Sequence, residues 1–432
     1  MVNYQKQLEI KYAVDVLVVG GGPAGVAAAI AAARQGKGVI LTEINGALGG
    51  CGTVGMVPEF MCFDDGINLL AGGIGGEIKS ALFGDELAYR CYNAKVEDVK
   101  RLYDQIVVES GVKILFFTKA IDVIKTGAKI DCAVVSSKSG VYAIQAKQFI
   151  DCSGDGAFSV MAGADYEFGD EEHVTMPATL CSFWSGIDFE RKIKPDGYKI
   201  GEAYLNGVFS QLDLLLPGIK ETDRASGVGG GNVGHAYAVD DRDEESLTSA
   251  MIESRKIVAQ YVQYYREYVP GCENANLCYT ANVLGVRESR RIVCDYKMNY
   301  QNYLDRAVFE DEIGRYNYPI DIHPKRADEE SIEQFKKDTA LTYAEGESYG
   351  ISLRCLLVKK LDNLFVAGKC VSSDREMQAS MRVMPCCFIT GQACGVASAV
   401  CIDENTSSHG VDYKKVQKKL LSMGAYLPNF KE

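Results

Sequence analysis

The chain has 432 residues, 47% hydrophobic and 24% charged, an ordinary globular composition in a length that exceeds what one hydrophobic core usually serves, so two domains are expected. Its 46 basic and 58 acidic residues leave a net charge of −12, which argues against nucleic acid or an anionic membrane surface as partner, because either needs a basic face. The 15 cysteines are odd in number and scattered, no Cys-x-x-Cys occurs and only four histidines exist, so free thiols in a reducing cell are expected and a metal site is not.

The polar first twelve residues carry no secretory pattern, and the apolar stretch Val14 to Leu41 is broken by Gly20, Gly21, Gly22, Pro23, Arg34 and Lys37. A cytoplasmic protein with no membrane association is expected. Val14 to Val19 reads as a buried parallel strand, an alanine-rich helix follows from about Ala24 to Gln35, and Val39 to Thr42 forms a second strand closed by Glu43. Between the first strand and the helix stands Gly20-x-Gly22-x-x-Gly25. Gly20 makes the tight turn, Gly22 admits a pyrophosphate, Gly25 lets helix and strand pack, and Pro23 and Ala24 open the helix whose N-terminus faces the phosphates. Glu43, 18 residues past Gly25, is placed to accept bonds from ribose hydroxyls.

Val96 to Ser110 keeps helical spacing and leads to a strand over Val112 to Phe117. Short runs at Ala120 to Lys125, Lys129 to Ser136 and Val141 to Ile144 suggest an antiparallel meander, and Lys147 to Cys152 returns as a separate strand. Beyond Gly169 the periodicity weakens. A charged helix is expected from about Leu247 to Tyr268, and Gly229-x-Gly231-x-x-Gly234, with no apolar strand before it, reads as a flexible loop. The first pattern resumes with a strand over Leu364 to Ala367 and a small-residue helix from about Phe388 to Val400.

Three segments together, Val16 to Glu43, Asp151-Cys152-Ser153-Gly154-Asp155-Gly156, and Asn363 to Gly368 with Gly391 to Gly395, resemble the FAD contacts of the glutathione-reductase-like flavoproteins. Within that class the chain is similar over nearly its whole length to the family called FAD-dependent oxidoreductase, and Gly285 to Arg291 resembles another of its motifs. The resemblance implies FAD as cofactor, with Asp151, Gly154 and Asp155 beside it, Gly368 and Gly391 at close approaches, Arg382 just before the flavin helix, and a helix N-terminus near Met384 aimed at the pyrimidine end of the isoalloxazine, where arriving hydride leaves negative charge. It also implies an α/β fold: a doubly wound parallel-sheet FAD-binding domain with an antiparallel meander, residues 1–168 and 355–432, and an inserted α+β substrate domain, residues 169–354.

Leu48 to Pro58 looks like the redox-disulfide stretch of flavin-dependent disulfide reductases, except that Met56 stands at the second thiol position, which excludes dithiol exchange in its familiar form. Gly49 and Gly50 remain as close approaches to the flavin, and Cys51 has three readings: packing residue, thiol tuning the flavin, or covalent or redox partner. Cys386-Cys387 is a rival redox pair for which core packing is the alternative.

For the substrate side, Arg287, Arg290 and Arg291 fall at i, i+3 and i+4, so on a helix they share a face able to clamp an anion, or else pair with neighbouring acids. His235 follows a glycine-rich stretch that suits a mobile catalytic residue, and Tyr349 and Arg354 lie in a segment resembling the family's substrate side. His173 is a candidate by position; His323 and His409, in polar surroundings, read as solvent-facing. The expected reaction is hydride transfer between flavin N5 and a small organic molecule, with an anionic one among the alternatives and electrons exchanged with NAD(P)H, a protein carrier or oxygen; a homo-oligomer is compatible with this. The alternatives are a flavin monooxygenase of the same superfamily and a non-catalytic, FAD-stabilised interaction protein.

Overall fold

The computed structural model describes all residues except 4, 90, 194–197, 216–217, 327–328 and 432. Its centre is a mixed, mainly parallel seven-stranded sheet in an α/β arrangement. Ile10–Val19 lies between Val39–Thr42 and Gly140–Asp151, parallel to both, with Lys113–Leu115 outside Val39–Thr42 and Leu364–Val366 parallel to the end of Gly140–Asp151. Val16 to Val19 are buried on both sides, which is why the run is continuously apolar and not alternating.

The meander is present as Lys119–Thr126, Lys129–Ser137 and the first half of Gly140–Asp151. The two segments expected as separate strands at 141–144 and 147–152 are one element of 12 residues, because its first half pairs antiparallel with Cys132 to Ser137 and its second half joins the parallel layer. The parallel strands carry a helical layer on one face. The opposite face, carrying Leu17, Val19, Ile40 and Phe149, packs instead on the meander and on the short helix Ala157–Met161.

On the helical face, Pro23–Arg34 is buried almost all round between the sheet and Met384–Glu404. The second of these helices is long and apolar enough to cross a membrane, but 94% of its apolar window is enclosed by the protein. Met298, Tyr303, Tyr316, Tyr349 and Ile351, from the stretch read as substrate domain, pack into this same core.

A separate core gathers Trp184, Phe209, Ile257, Tyr261, Tyr264 and Tyr265 between the helix Glu244–Tyr268 and a four-stranded antiparallel sheet. Here the sequence reading needs correction: Val228–Gly231 is an inner strand of that sheet, not a loop. Its glycines let larger neighbours close in, since a Cβ on Gly230 would meet Pro58 and one on Gly231 would meet Trp184 and Ser182. Conversely, Arg287, Arg290 and Arg291 do not share a helix face. Arg290–Ile292 is a strand paired with Tyr166–Phe168, whose alternation separates the Arg290 and Arg291 side chains, while Arg287 lies in the irregular segment before it and turns to the Pro177 carbonyl.

Candidate active site

The first strand ends in a turn that L side chains could not adopt cheaply: Gly20 has φ +99°, and its N–H donates to the Thr42 carbonyl at 2.8 Å. A Cβ on Gly25 would lie 1.9 Å from the Gly20 oxygen, so this contact fixes how closely helix and strand approach. Gly22 is different, with nothing within 4 Å of where its Cβ would be. It caps the helix without a side chain, and Pro23 follows where a missing N–H costs nothing, so the first-turn N–H groups face open space suited to a pyrophosphate.

Glu43 is buried beside this turn. One carboxylate oxygen accepts the Gly21 N–H at 2.8 Å, and the other accepts the backbone and side-chain N–H groups of Asn45, both at 2.8 Å. A carboxylate offers about four acceptor directions, so roughly one remains for a ribose hydroxyl. The loop after it folds back over the glycine turn, with the Gly49 N–H donating to the Gly21 carbonyl at 2.7 Å and Gly50 packed near Gly22. Cys51 sits half-buried in the single 3₁₀ turn Gly50–Gly52.

Asp151 is wholly enclosed. Its oxygens accept the N–H and O–H groups of Ser153, at 3.0 and 2.6 Å, and of Ser159, at 2.8 and 2.7 Å, so it organises the loop that follows and turns no acceptor outward. Burial raises its carboxyl above the ordinary range in spite of these four bonds. Asp155, partly exposed, accepts the Ala157 N–H at 3.0 Å, and Gly154 borders Lys369. The Gly368 N–H donates to Thr390 Oγ1 at 3.1 Å. These groups lie around the glycine turn, and they fit FAD: open space at Gly22 before the helix N-terminus, a carboxylate with an acceptor direction to spare, and glycines where backbone must come close.

Beyond Cys51 opens a cavity of about 480 Å³ between the two cores. Val383 and Met384, at the uncapped N-terminus of Met384–Glu404, form one wall, Lys369 and Val286 border it, and the far side carries Arg287, Arg382, Tyr318, Asp321 and His323. Arg287 is 8% exposed. It donates to the Pro177 carbonyl and Thr179 Oγ1, both at 2.8 Å, and to Asn232 Oδ1 at 3.1 Å, all neutral acceptors. The buried Arg291 and Arg315 instead hold carboxylates, Glu288 at 2.7 Å and Glu312 at 2.8 Å. Among the described residues no carboxylate lies within ion-pair distance of Arg287, and burial, helped by the Arg382 charge, pushes its guanidinium down to about 10.

Next to it runs a chain of buried groups. Asp213 Oδ2 accepts the His235 backbone N–H at 2.8 Å and lies 2.8 Å from its Nδ1; His235 Nε2 lies 3.2 Å from His323 Nδ1; and His323 Nε2 lies 3.5 Å from Asp321 Oδ1. Arg382 donates to the carbonyl and to a carboxylate oxygen of Asp321, each at 3.0 Å. Burial and then Arg287 drive His323 down to about 3, against the pull of Asp321. Burial opposes ionisation of Asp321, yet His323, Arg382 and Arg287 hold its carboxyl far below the usual carboxylate range.

The residues singled out from sequence are thus placed unequally. Arg287, Arg382 and Cys51 line the cavity. His235 is wholly buried one step behind it, not on a mobile loop. Tyr349 is enclosed, bonded to Ser380 at 2.8 Å and packed on Tyr303 and Tyr343, and Arg354 is exposed on Asp311; neither is among the described lining residues. His173 is exposed at φ +58°, and His409 is exposed beside Asp295. His323 corrects the solvent-facing reading: it is 4% exposed and lines the cavity. Sequence reasoning missed it together with Asp321, Asp213 and Tyr318. The signal was Tyr318-Pro-Ile-Asp-Ile-His-Pro324, where Ile320 and Ile322 alternate with Asp321 and His323 between two prolines that forbid a helix.

A family model described as FAD dependent oxidoreductase matches residues 15–420. The chain belongs to that family. As an FAD dependent oxidoreductase it is a flavoprotein with FAD as cofactor. No curated protein matches it. Among solved structures it is similar to a geranylgeranyl bacteriochlorophyll reductase-like protein from Thermoplasma acidophilum, at 13% identity over 95% of this chain and 83% of that one, TM-score 0.47. It is also similar to an L-proline dehydrogenase from P. horikoshii, at 11% identity over 91% and 94% of the chains, TM-score 0.41, and to a p-nitrophenol 4-monooxygenase from Pseudomonas putida DLL-E4, at 11% identity over 95% and 85%, TM-score 0.43.

Proposed function

We propose that this FAD dependent oxidoreductase exchanges hydride between its flavin and a small organic anion bound in the cavity between the two cores. The observation that carries this reading is Arg287: a buried guanidinium whose hydrogen-bond partners are all neutral and which Asp321 and Asp213 offset only from beyond contact distance, whereas Arg291 and Arg315 are each paired directly with a carboxylate. A carboxylate or similar anion entering the cavity supplies the missing counter-charge.

Bound FAD supplies a two-electron hydride acceptor or donor. The chain's own groups do the rest. The glycine turn, Glu43 and the loop Gly49–Cys51 hold the dinucleotide; the N–H groups opening Met384–Glu404 offer a positive dipole end to charge developing on it; Arg287 orients the anion; and Pro58 and Met61 help the two cores exclude water. The meander beside the parallel layer supports placing the family in the glutathione-reductase-like class. Electrons are exchanged with the NAD(P)+/NAD(P)H couple, a protein carrier or oxygen.

The test is a titration of the FAD-loaded protein with acetate, pyruvate and benzoate, read as a perturbation of the flavin absorption band. The acids perturb it and their methyl esters do not, and Arg287→Met weakens the response at least about tenfold. Esters binding as well as acids to the native protein overturn the reading even if the variant folds poorly.

A further inference from the structure

We propose that His323 is the base that takes a proton from the substrate, that His235 and Asp213 hold it in the required tautomer, and that the substrate is therefore a 2-hydroxy or 2-amino carboxylate oxidised at the flavin. The inference rests on the reading of an anion at Arg287 and adds to it the direction of reaction and the group that reacts.

Proton counting along the buried chain carries the argument. A carboxylate only accepts, so Asp213 Oδ2, 2.8 Å from His235 Nδ1, places a proton on that nitrogen. The 3.2 Å contact between His235 Nε2 and His323 Nδ1 holds one proton, given by either ring. If His235 gave it, His235 would be a buried cation, and a neutral His323 would turn its remaining N–H to Asp321. The 3.5 Å separation there exceeds the roughly 2.7–2.9 Å of a charge-assisted bond. Arg287 and Arg382 put two positive charges nearby and Asp213 and Asp321 two negative ones, so the buried set is balanced and a cationic His235 would leave it with an excess charge. The remaining arrangement is His323 Nδ1–H donating to a bare His235 Nε2, which leaves two acceptors, His323 Nε2 and Asp321 Oδ1, facing each other at 3.5 Å. His323 Nε2 is then left without a proton, on a residue that lines the cavity.

That nitrogen can only accept. Asp321 Oδ1 lies beside it, held in place by Arg382 and by Tyr318, whose hydroxyl donates to Oδ2 at 3.3 Å. A proton arriving on Nε2 converts the contact with Asp321 into an ion pair, so the site stabilises the protonated ring only after transfer. In the balanced step the substrate O–H or N–H proton would pass to His323 Nε2, the heteroatom's electron pair would form the C=O or C=N bond, and the adjacent C–H bond would break with its pair leaving as hydride. FAD, when held by the glycine turn and Glu43, would supply the two-electron acceptor for that hydride, and the proton would leave through His323. A substrate that only accepted hydride would need an acid here, and the resting tautomer presents none.

Two measurements on the full-length, FAD-loaded protein decide this. Ring ¹⁵N spectra are expected to show His323 Nε2 bare and Nδ1 protonated across neutral pH, and Asp213→Asn to disturb that pattern. Anaerobic mixing with glycolate, both enantiomers of lactate, alanine and glutamate is expected to bleach the flavin with at least one acid, and His323→Asn to slow bleaching about 10²- to 10⁴-fold while the response to acetate is kept. A cationic His323, or one protonated at Nε2, overturns the assignment even if Asp213→Asn does not fold. If acetate perturbs the native flavin band but none of these acids bleaches it while NADH does, the substrate assignment falls and the anion reading stands; if acetate has no effect, it is the anion reading that falls.

Discussion

Gly391 faces the backbone of Ala24 so closely that a Cβ on it would lie 2.1 Å from the Ala24 carbonyl oxygen. The contact joins the helix that opens at the glycine turn to the helix that opens on the cavity, and Gly395 repeats it one turn later against Ala28. Gly391 therefore acts on the flavin site through helix packing. Gly391→Ala sets a methyl against backbone that cannot rotate away, so a loss of about 1–3 kcal/mol is expected in urea unfolding, with weaker FAD retention because the glycine turn and the flavin helix move apart. An unchanged midpoint would show that the helices can separate freely.

Glu43 holds three N–H groups, one of them on the glycine turn. Glu43→Ala leaves the buried Gly21 N–H without an acceptor, at a cost of about 1–3 kcal/mol. The expected result is partial loss of FAD on gel filtration, read as the ratio of visible to ultraviolet absorbance; full occupancy would count against both the turn-holding and the ribose roles. Glu43→Gln, which keeps one acceptor, is expected to fall between.

How much of this was legible depends on how local the determining contacts are. The turn at Gly20 to Gly25 and Glu43 could be read because strand, turn, helix and acid follow within one stretch and each residue type answers a nearby steric or charge demand. The chain of Asp213, His235 and His323 could not, because its members are 22 and 88 residues apart and meet only when separate segments close on the cavity. Arg287, Arg290 and Arg291 show the opposite error: helical spacing was read into a segment whose end pairs as a strand with Tyr166–Phe168. Asp151 ends the strand Gly140–Asp151, and Ser153 and Ser159 use both its oxygens, something no spacing rule reveals.

Cys51 lies in a turn whose fixed contacts are made by backbone: its carbonyl accepts the Val57 N–H at 2.9 Å, and Gly55 packs against its main chain. Met56, the residue at the missing thiol position, is buried at φ +56°. Cys51→Ser preserves the turn, and the protein is expected to keep its FAD and to release all of it on denaturation. Flavin remaining with the native polypeptide after unfolding, and lost from the variant, would instead establish a covalent role.

His323 also ties stability to pH. Its ordinary value is 6.5 and burial beside Arg287 lowers it to about 3, so between these values the unfolded chain binds a proton that the folded one refuses. The stability slope with pH follows the excess of protons on the unfolded state, so stability is full above about 6.5 and is lost as pH falls toward 3, by on the order of a few kcal/mol from this one ring. His323→Asn removes the titrating group while keeping a polar side chain in place. Its melting temperature at neutral pH is expected to be lower than that of the native protein, but its decline between pH 6.5 and 4 should be shallower, measured by calorimetry on FAD-loaded samples. Parallel declines in the two proteins would mean that His323 already carries a proton in the folded state, and its place as a resting base would be lost with that result.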